Sequence, residues 1–280
     1  MKKKFLILVI VLILMIIILN AFSKKENDVT EFKPLEIDVG DEFTNLSYDQ
    51  PMRVLNYAIK DVTGNGQNDM ILVIGEKDNI AGGEPANNID IVIYEPAEEK
   101  FIKGGLKKCM GKSPRILTAN VDESPNDEII LVLENEDNTK NIRILSVNGE
   151  ECKEIFKPRD NKGLVVTGYF MDGFKAYVSI RKLKLETYID LKDEKETYIK
   201  NGFYDSDGRI LSENKNISSS NFVSVELQEL QGQCGIRTVQ RIKGFDNLDI
   251  LEEIEVLWKS EGGNWNVKEA KGKRLGNILY

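Results

Sequence analysis

Short apolar runs, separated by polar and glycine-rich turns, make up most of the chain after about residue 50. Typical runs are Val54–Lys60, Met70–Gly75, Ile89–Glu95 and Ile129–Leu133. They are rich in Val, Ile and Leu and are too short for amphipathic helices, which favours strands. The hydrophobic pattern therefore predicts an all-β fold without any helix-length amphipathic segment in the body of the chain.

The strand-like runs recur in groups of about four, which suggests a repeated unit. Turns or loops that could open such units start near residues 61, 120, 168 and 229. The units predicted for the repeat domain 51–280 are about 51–108, 109–158, 159–215 and 216–275. Groups of this length and strand number are typical of the four-stranded blades of a β-propeller, so we expect a propeller-like array. A fifth blade would combine residues 26–60 with a C-terminal strand at 274–280.

The first 25 residues predict an export element. Three lysines, Lys2 to Lys4, precede an unbroken apolar run from Phe5 to Leu19, and a basic pair follows at Lys24 and Lys25. The run lies between a signal-peptide core and the roughly 20 residues of a membrane span. The charge pattern predicts a single-pass anchor with the rest of the chain on the extracytoplasmic side, after a polar linker or first strand at 26–50. The alternative is a secreted protein cleaved at about Ser23.

One loop between two predicted strands has the spacing of a calcium-binding loop. Its sequence runs from Asp61 to Asp69, with oxygen-bearing side chains also at Thr63 and Asn65 and glycines between them. Calcium takes six to eight oxygen ligands, and alternate side chains of a curled loop can supply them. The chain continues as an apolar strand rather than a helix, so the loop is not an EF-hand. The competing interpretation is a tight turn whose carboxylates cap its own backbone amides without an ion.

A second loop repeats part of this pattern between the next two predicted strands. Asn120, Asp122, Ser124 and Asp127 carry side-chain oxygens, and with Asp127 as the last ligand this loop is one residue shorter than the first. We expect it to be the weaker of two calcium sites. The loop expected in the fourth unit, Glu229–Arg237, has Arg237 at the position of a ligand. We therefore expect it to bind no ion.

The Asp-x-Thr-Gly-Asn-Gly-x-x-Asp motif between two strands resembles the loop of the FG-GAP or VCBS repeat in integrin-type β-propellers. The resemblance is good at the first loop and partial at the second. It implies that Asp61, Thr63, Asn65, Asp69 and the carbonyl oxygen of Gln67 hold a structural Ca²⁺. Thr63 and Asn65 replace acids that the family usually has, which implies a weak site.

Composition excludes several kinds of chemistry. The chain has 280 residues without histidine, so Ser-His-carboxylate triads and histidine metal sites are absent from it. A net charge of -8 argues against nucleic acid as a partner. The three cysteines, Cys109, Cys152 and Cys234, show no CxxC spacing and are expected to be small core residues.

These observations together predict a non-enzymatic, membrane-anchored binding module at the cell surface. Its partner would be another surface protein or a glycan. One alternative is a carboxylate-dependent enzyme that processes envelope polysaccharide, which would need two acids in a cleft with at least one perturbed pKa. The other is a purely structural spacer. Trp258 and Trp265 could stack on sugars, but packing within a hairpin is the commoner role of such pairs.

Overall fold

The computed structural model describes residues 33–77, 83–212 and 216–279. These residues form antiparallel sheets, which confirms the all-β class. The predicted anchor, residues 1–25, lies outside the described residues, as does the start of the linker. No helix in the described part of the chain is long and apolar enough to span a membrane.

The strands are numbered in chain order, and the short α-helix α1 comprises Lys195–Lys200. The strands are β1 Glu42–Phe43, β2 Met52–Lys60, β3 Asp69–Glu76, β4 Asn87–Glu95, β5 Lys100–Lys103, β6 Lys112–Ala119, β7 Glu128–Glu134, β8 Lys140–Asn148, β9 Glu151–Phe156, β10 Val166–Met171, β11 Lys175–Ile180, β12 Leu185–Asp190, β13 Asn216–Leu230, β14 Gln233–Lys243, β15 Ile250–Glu261, β16 Asn264–Gly272 and β17 Gly276–Leu279.

The first sheet is a five-stranded meander with the order β1-β2-β3-β4-β5. Its central strand β3 is buried on both faces, because alternate side chains enter different clusters. Met70, Leu72 and Ile74 pack in one cluster, and Ile71 and Val73 pack in another. The sequence expectation of a buried strand here is confirmed.

The strands β6 to β9 form a second meander that packs against the first. Ile129, Leu131 and Leu133 of β7 share a cluster with Ile71 and Val73 of β3. β2–β3 and β6–β7 are therefore equivalent pairs, each joined by a loop at the same end of its meander.

The remaining strands follow the order β12-β11-β10-β13-β14-β15-β16-β17. Both predicted C-terminal units thus lie in one continuous sheet, and β8 joins it through the pair Lys140–Phe222. β1 pairs with β2 and β17 pairs with β16, so the terminal strands lie in different sheets and do not share a fifth blade. The described strands do not display a closed ring of separate blades.

Two of the four expected loops are hairpin turns. β10 and β11 are joined through a tight turn at Asp172–Phe174, and β13 and β14 turn at Gln231–Gly232. The predicted fourth loop is therefore mostly strand, and Arg237 lies in β14 beside Glu255. Of the four expected loops, the two that follow β2 and β6 have the nine-residue form.

Candidate functional site

Backbone amides surround the two carboxylates of the first loop. Asp61 accepts hydrogen bonds from the amides of Gly64 at 2.7 Å and Gly66 at 2.9 Å. Both glycines have positive φ, which lets the chain curl back towards the Asp61 side chain. Asp69 accepts from the amides of Val62 at 2.9 Å and Thr63 at 3.0 Å. This is the hydrogen-bond pattern of the capped turn, and the loop is held by it.

Two further carboxylate contacts extend the first loop. The Thr63 hydroxyl donates to Asp69 at 3.3 Å, and the Asn65 amide donates to Glu95 at 2.6 Å. Glu95 is buried and also pairs with Lys100. The sequence analysis missed Glu95 because it comes from β4, well beyond the loop. Burial raises the pKa of Asp69, although its backbone hydrogen bonds oppose that effect.

The donor atoms of the first loop fit a hard cation in type. Asp61, Thr63, Asn65 and Asp69 supply only oxygen ligands, and each carboxylate oxygen has lone pairs beyond those that its amide partners use. The formal charge is only -2, and Asp69 has no exposed surface. Among the described residues, no cluster of three or more Cys, Asp or Glu side chains has the arrangement of a metal site. If calcium binds, Asp61 and Asp69 would provide its charged ligands.

The second loop has the same length as the first. β6 ends at Ala119 and β7 begins at Glu128, and these residues pair as Lys60 and Asp69 do. Glu128, rather than Asp127, therefore corresponds to Asp69. Sequence reasoning missed Glu128 because the last carboxylate had been assigned to Asp127, which forms an ion pair with Lys60 instead.

Glu128 repeats one backbone contact of Asp69 and also accepts from a loop hydroxyl. It accepts hydrogen bonds from the amide of Val121 at 2.7 Å and from the hydroxyl of Ser124 at 2.5 Å. Asn120 differs from Asp61, because its amide nitrogen donates to the carbonyl oxygens of Ser124 and Asn126. In the first loop the Asp61 carboxylate accepts from backbone amides. In the second loop the Asn120 amide donates to backbone carbonyl oxygens instead.

Asp122 and Glu128 form a carboxyl pair with a perturbed member. Burial, together with a hydrogen bond to Asp122, raises the pKa of Glu128 to about 7. A paired and perturbed acid is what the enzymatic alternative requires, but Glu128 has no exposed surface. In the described structure a substrate cannot reach it.

Two amide side chains connect successive parts of this end of the fold. Asn126 donates to the carbonyl oxygen of Thr63 at 3.1 Å. Gln233, at the start of β14, donates to the carbonyl oxygens of Val121 at 2.5 Å and Ser260 at 3.2 Å. The first loop, the second loop and the β13–β14 hairpin are therefore linked in series.

The tryptophans and cysteines are packing residues in this structure. Trp258 and Trp265 are 3% and 7% exposed, and their ring nitrogens donate to Thr238 and to the carbonyl oxygen of Ile155. They offer little surface for a sugar. The three cysteines are free thiols, and burial raises the pKa of Cys109 to about 11.

An exposed row of tyrosines crosses the outer strands of the large sheet. Tyr169, Tyr177 and Tyr188 are direct cross-strand partners on β10, β11 and β12. Their ring centroids lie 5.1 Å and 5.6 Å apart. Tyr169 is 48% exposed and Tyr188 is 62% exposed, and Tyr177 lies between them. We call these three residues the tyrosine platform. Sequence reasoning missed it because its rings become neighbours only when the strands pair.

Polar side chains border the tyrosine platform. Residues two positions along a strand share its face, which places Ser179 and Glu186 on one side of the rings and Lys175 and Asp190 on the other. Burial and the Glu186 carboxylate raise the pKa of Tyr177. The resulting surface is open, aromatic and rimmed with hydrogen-bonding groups.

Comparison with known proteins gives two similarities. Residues 164–273 match the family model of the YybI C-terminal domain, a region that contains β10 to β16 and so the tyrosine platform. The chain also resembles the crystal structure of the exotype rhamnogalacturonan lyase YesX at 14% identity and a TM-score of 0.33. That similarity covers 85% of this chain and 36% of the YesX chain. The search of curated proteins found no match.

Proposed function

We propose that the protein is a non-enzymatic binding module on the outer side of the cytoplasmic membrane, and that the tyrosine platform binds a glycan chain. The observation that carries this proposal is the exposed row of Tyr169, Tyr177 and Tyr188 on the outer strands of the large sheet. Two exposed rings on either side of a partly buried third, all on one face, form an apolar patch that suggests a contact surface.

A glycan fits this surface better than a globular protein does. The ring centroids lie 5.1 Å and 5.6 Å apart and the ring planes are tilted by 37° and 57°, so the row offers a carbohydrate several apolar surfaces at different angles rather than one flat face. Aromatic rings offer an apolar face while the tyrosine hydroxyls remain able to form hydrogen bonds. Lys175, Glu186 and Asp190 at the rim can bind sugar hydroxyl groups.

The nine-residue loops have a structural role in this proposal. They close the meanders β2–β5 and β6–β9 at one end, and Asn126 joins them. A weak Ca²⁺ in the Asp61–Asp69 loop would add to that closure. The propeller-like arrangement of these meanders is part of the same proposal and is supported by their equivalent strands and loops.

The membrane location rests on the apolar run Phe5–Leu19 and its flanking lysines. A retained anchor would hold the platform near the envelope, where polysaccharide is abundant. Extraction of membranes at alkaline pH tests it, since a single-pass protein stays with the membrane whereas a cleaved product is released.

The binding test is a sedimentation assay of the full chain in non-ionic detergent with insoluble cell-wall polysaccharide. Tyr169→Ala combined with Tyr188→Ala removes the two exposed rings and should weaken retention by about tenfold or more. Tyr57→Ala is the matched control, because Tyr57 is an exposed tyrosine of the other sheet. It should leave retention unchanged.

Equal retention of the double variant and the wild type would contradict the platform proposal. Release of soluble sugar fragments by the wild type would instead support the enzymatic alternative. Circular dichroism of both variants checks that the sheets remain folded.

A further inference from the structure

A basic pocket lies at the end of the β11–β12 hairpin, where three segments that are distant in sequence meet. It has a volume of about 440 Å³ and is lined in part by Lys157, Arg159, Asp160, Lys182, Trp265 and Asn266. Lys157 and Arg159 follow β9, Lys182 lies between β11 and β12, and Trp265 and Asn266 belong to β16. The fold therefore brings these groups together, and we call this cavity the basic pocket.

The charge of the basic pocket is opposite to that of the chain. Its three cationic side chains and the Asp160 carboxylate give it a net charge of +2, whereas the chain as a whole carries -8. The Asp160 carboxylate already has partners within the protein. It accepts a hydrogen bond from the amide of Lys157 at 2.8 Å and lies 3.7 Å from the Arg159 guanidinium. Nearby Glu261 is neutralised by Lys268 and Lys259.

Lys182 is held at the pocket by contacts with the two tryptophans. Its ammonium group donates to the carbonyl oxygen of Trp265 at 3.0 Å and lies 4.6 Å from the ring centroid of Trp258. Among the described carboxylates, none is within ion-pair distance of this ammonium group or that of Lys157. Desolvation lowers the pKa of Lys182, and the Asp160 carboxylate only partly opposes that effect, so an anion placed beside the ammonium group would add favourable electrostatic energy.

We propose that the basic pocket binds a small molecule that carries a phosphate or carboxylate group. Arg159, Lys157 and Lys182 would contact the oxyanion, since a guanidinium and two ammonium groups are strong donors to such oxygens. The volume exceeds that of a single inorganic ion and lies in the range of small-ligand sites. Asn266 also lines the pocket, and although its amide nitrogen donates to Glu261 at 3.4 Å, its amide oxygen would contact an uncharged part of the ligand. This site is separate from the proposed platform function.

The tryptophans provide a direct assay. The chain has only two, Trp258 and Trp265, and both contact Lys182. The full chain in non-ionic detergent is titrated with glucose 6-phosphate while tryptophan emission is recorded, with glucose as the uncharged reference. We expect a saturable change with glucose 6-phosphate only, weakened by added salt because the attraction is electrostatic.

Charge removal tests the assignment of the contacts. Arg159→Gln combined with Lys182→Gln should weaken binding by about tenfold or more. Lys157→Gln serves as a second variant, because Lys157 is exposed and its replacement leaves the tryptophan contacts intact. Lys200→Gln combined with Arg209→Gln removes the same charge from exposed sites outside the pocket and should bind like the wild type.

Inorganic phosphate and glucuronate separate the two ligand chemistries. A response to phosphate but not to glucuronate assigns a phosphate ligand, and a response to both assigns a general oxyanion site. The proposal is overturned if glucose gives the same response as glucose 6-phosphate, if no titration saturates, or if both pocket variants retain wild-type affinity.

Discussion

The side chain of Asn126 fills the space above Gly64 while it donates to the carbonyl oxygen of Thr63. A Cβ atom added at Gly64 would lie 2.1 Å from the Asn126 side-chain oxygen, so the glycine is required both by its positive φ and by this contact. Asn126 also lies 3.5 Å from the carbonyl oxygen of Val147. One amide thus fixes the second loop against the first and against β8.

Replacement of this amide should loosen the contact between the two meanders. Asn126→Ala leaves the Thr63 carbonyl without its side-chain partner and opens a small void beside Gly64. We expect the free energy of unfolding to fall by about 1–3 kcal/mol in denaturant titration. Asn221→Ala, an exposed asparagine of β13, is the control and should change it by less than about 0.5 kcal/mol. Equal effects of the two replacements would show that the bridge contributes little.

Glu128 should make stability depend on pH in an unusual direction. Its folded pKa of about 7 lies above its ordinary value of 4.5, so the folded state favours the protonated carboxyl. This contribution is complete below about pH 4.5 and is lost as the pH rises through 7. Glu128→Gln keeps a neutral side chain at every pH. Relative to the wild type, the variant should therefore gain up to about 3 kcal/mol between pH 5 and pH 8.

Urea titrations across that pH range measure the difference directly. Glu123→Gln is the matched control, because Glu123 is an exposed acid of the same loop. Its profile should run parallel to that of the wild type. A parallel profile for Glu128→Gln would contradict the assigned protonation.

Calcium should stabilise the wild type if the first loop binds it. Millimolar Ca²⁺ compared with EGTA should raise the melting temperature of the full chain by about 2–4 °C through preferential binding to the folded state. Asp61→Ala and Asp69→Ala should abolish this increase, whereas Asp49→Ala at an exposed site should preserve it. An unchanged melting temperature in the wild type would leave the capped turn as the complete description of the loop.

Gly168 supports the tyrosine platform from the next position on β10. A Cβ atom there would lie 2.2 Å from the carbonyl oxygen of Tyr177, so the strands could not keep their spacing. Gly168→Ala should lower the free energy of unfolding by about 2 kcal/mol or more and weaken glycan retention with it. Gly83→Ala, where a Cβ atom meets nothing within 4 Å, is the calorimetric control. Equal melting temperatures for Gly168→Ala and Gly83→Ala would show that the contact between position 168 and the Tyr177 carbonyl oxygen costs no stability.

The sequence predicted most local structure because strand periodicity and turn residues are local signals. The strands expected at Met70–Gly75 and Ile129–Leu133 are confirmed as β3 and β7. Helix α1 was not predicted, because its six residues form no amphipathic repeat and are held by tertiary contacts. Its Tyr198 is buried and donates to Asp249 at 2.9 Å, across 51 positions of sequence.

The parts that escaped prediction depend on contacts between distant segments. Glu95, the tyrosine platform and the basic pocket each combine side chains whose proximity arises from strand pairing or sheet packing. The loop at 61–69 was predicted in position and length, since all of its ligand candidates lie within one short stretch. The equal length of the second loop was hidden because Asp127 and Glu128 are adjacent acids and only strand register distinguishes them.

Both tryptophans lie in the C-terminal sheet, so the five-stranded sheet gives no signal in tryptophan emission. The five-stranded sheet contains tyrosines and phenylalanines but no tryptophan. A melting curve recorded by tryptophan emission would thus report the C-terminal sheet alone, and the same curve recorded by far-UV circular dichroism would include both sheets. Any gap between the two midpoints measures how tightly the Asn126 bridge and the shared cluster couple the two halves during unfolding.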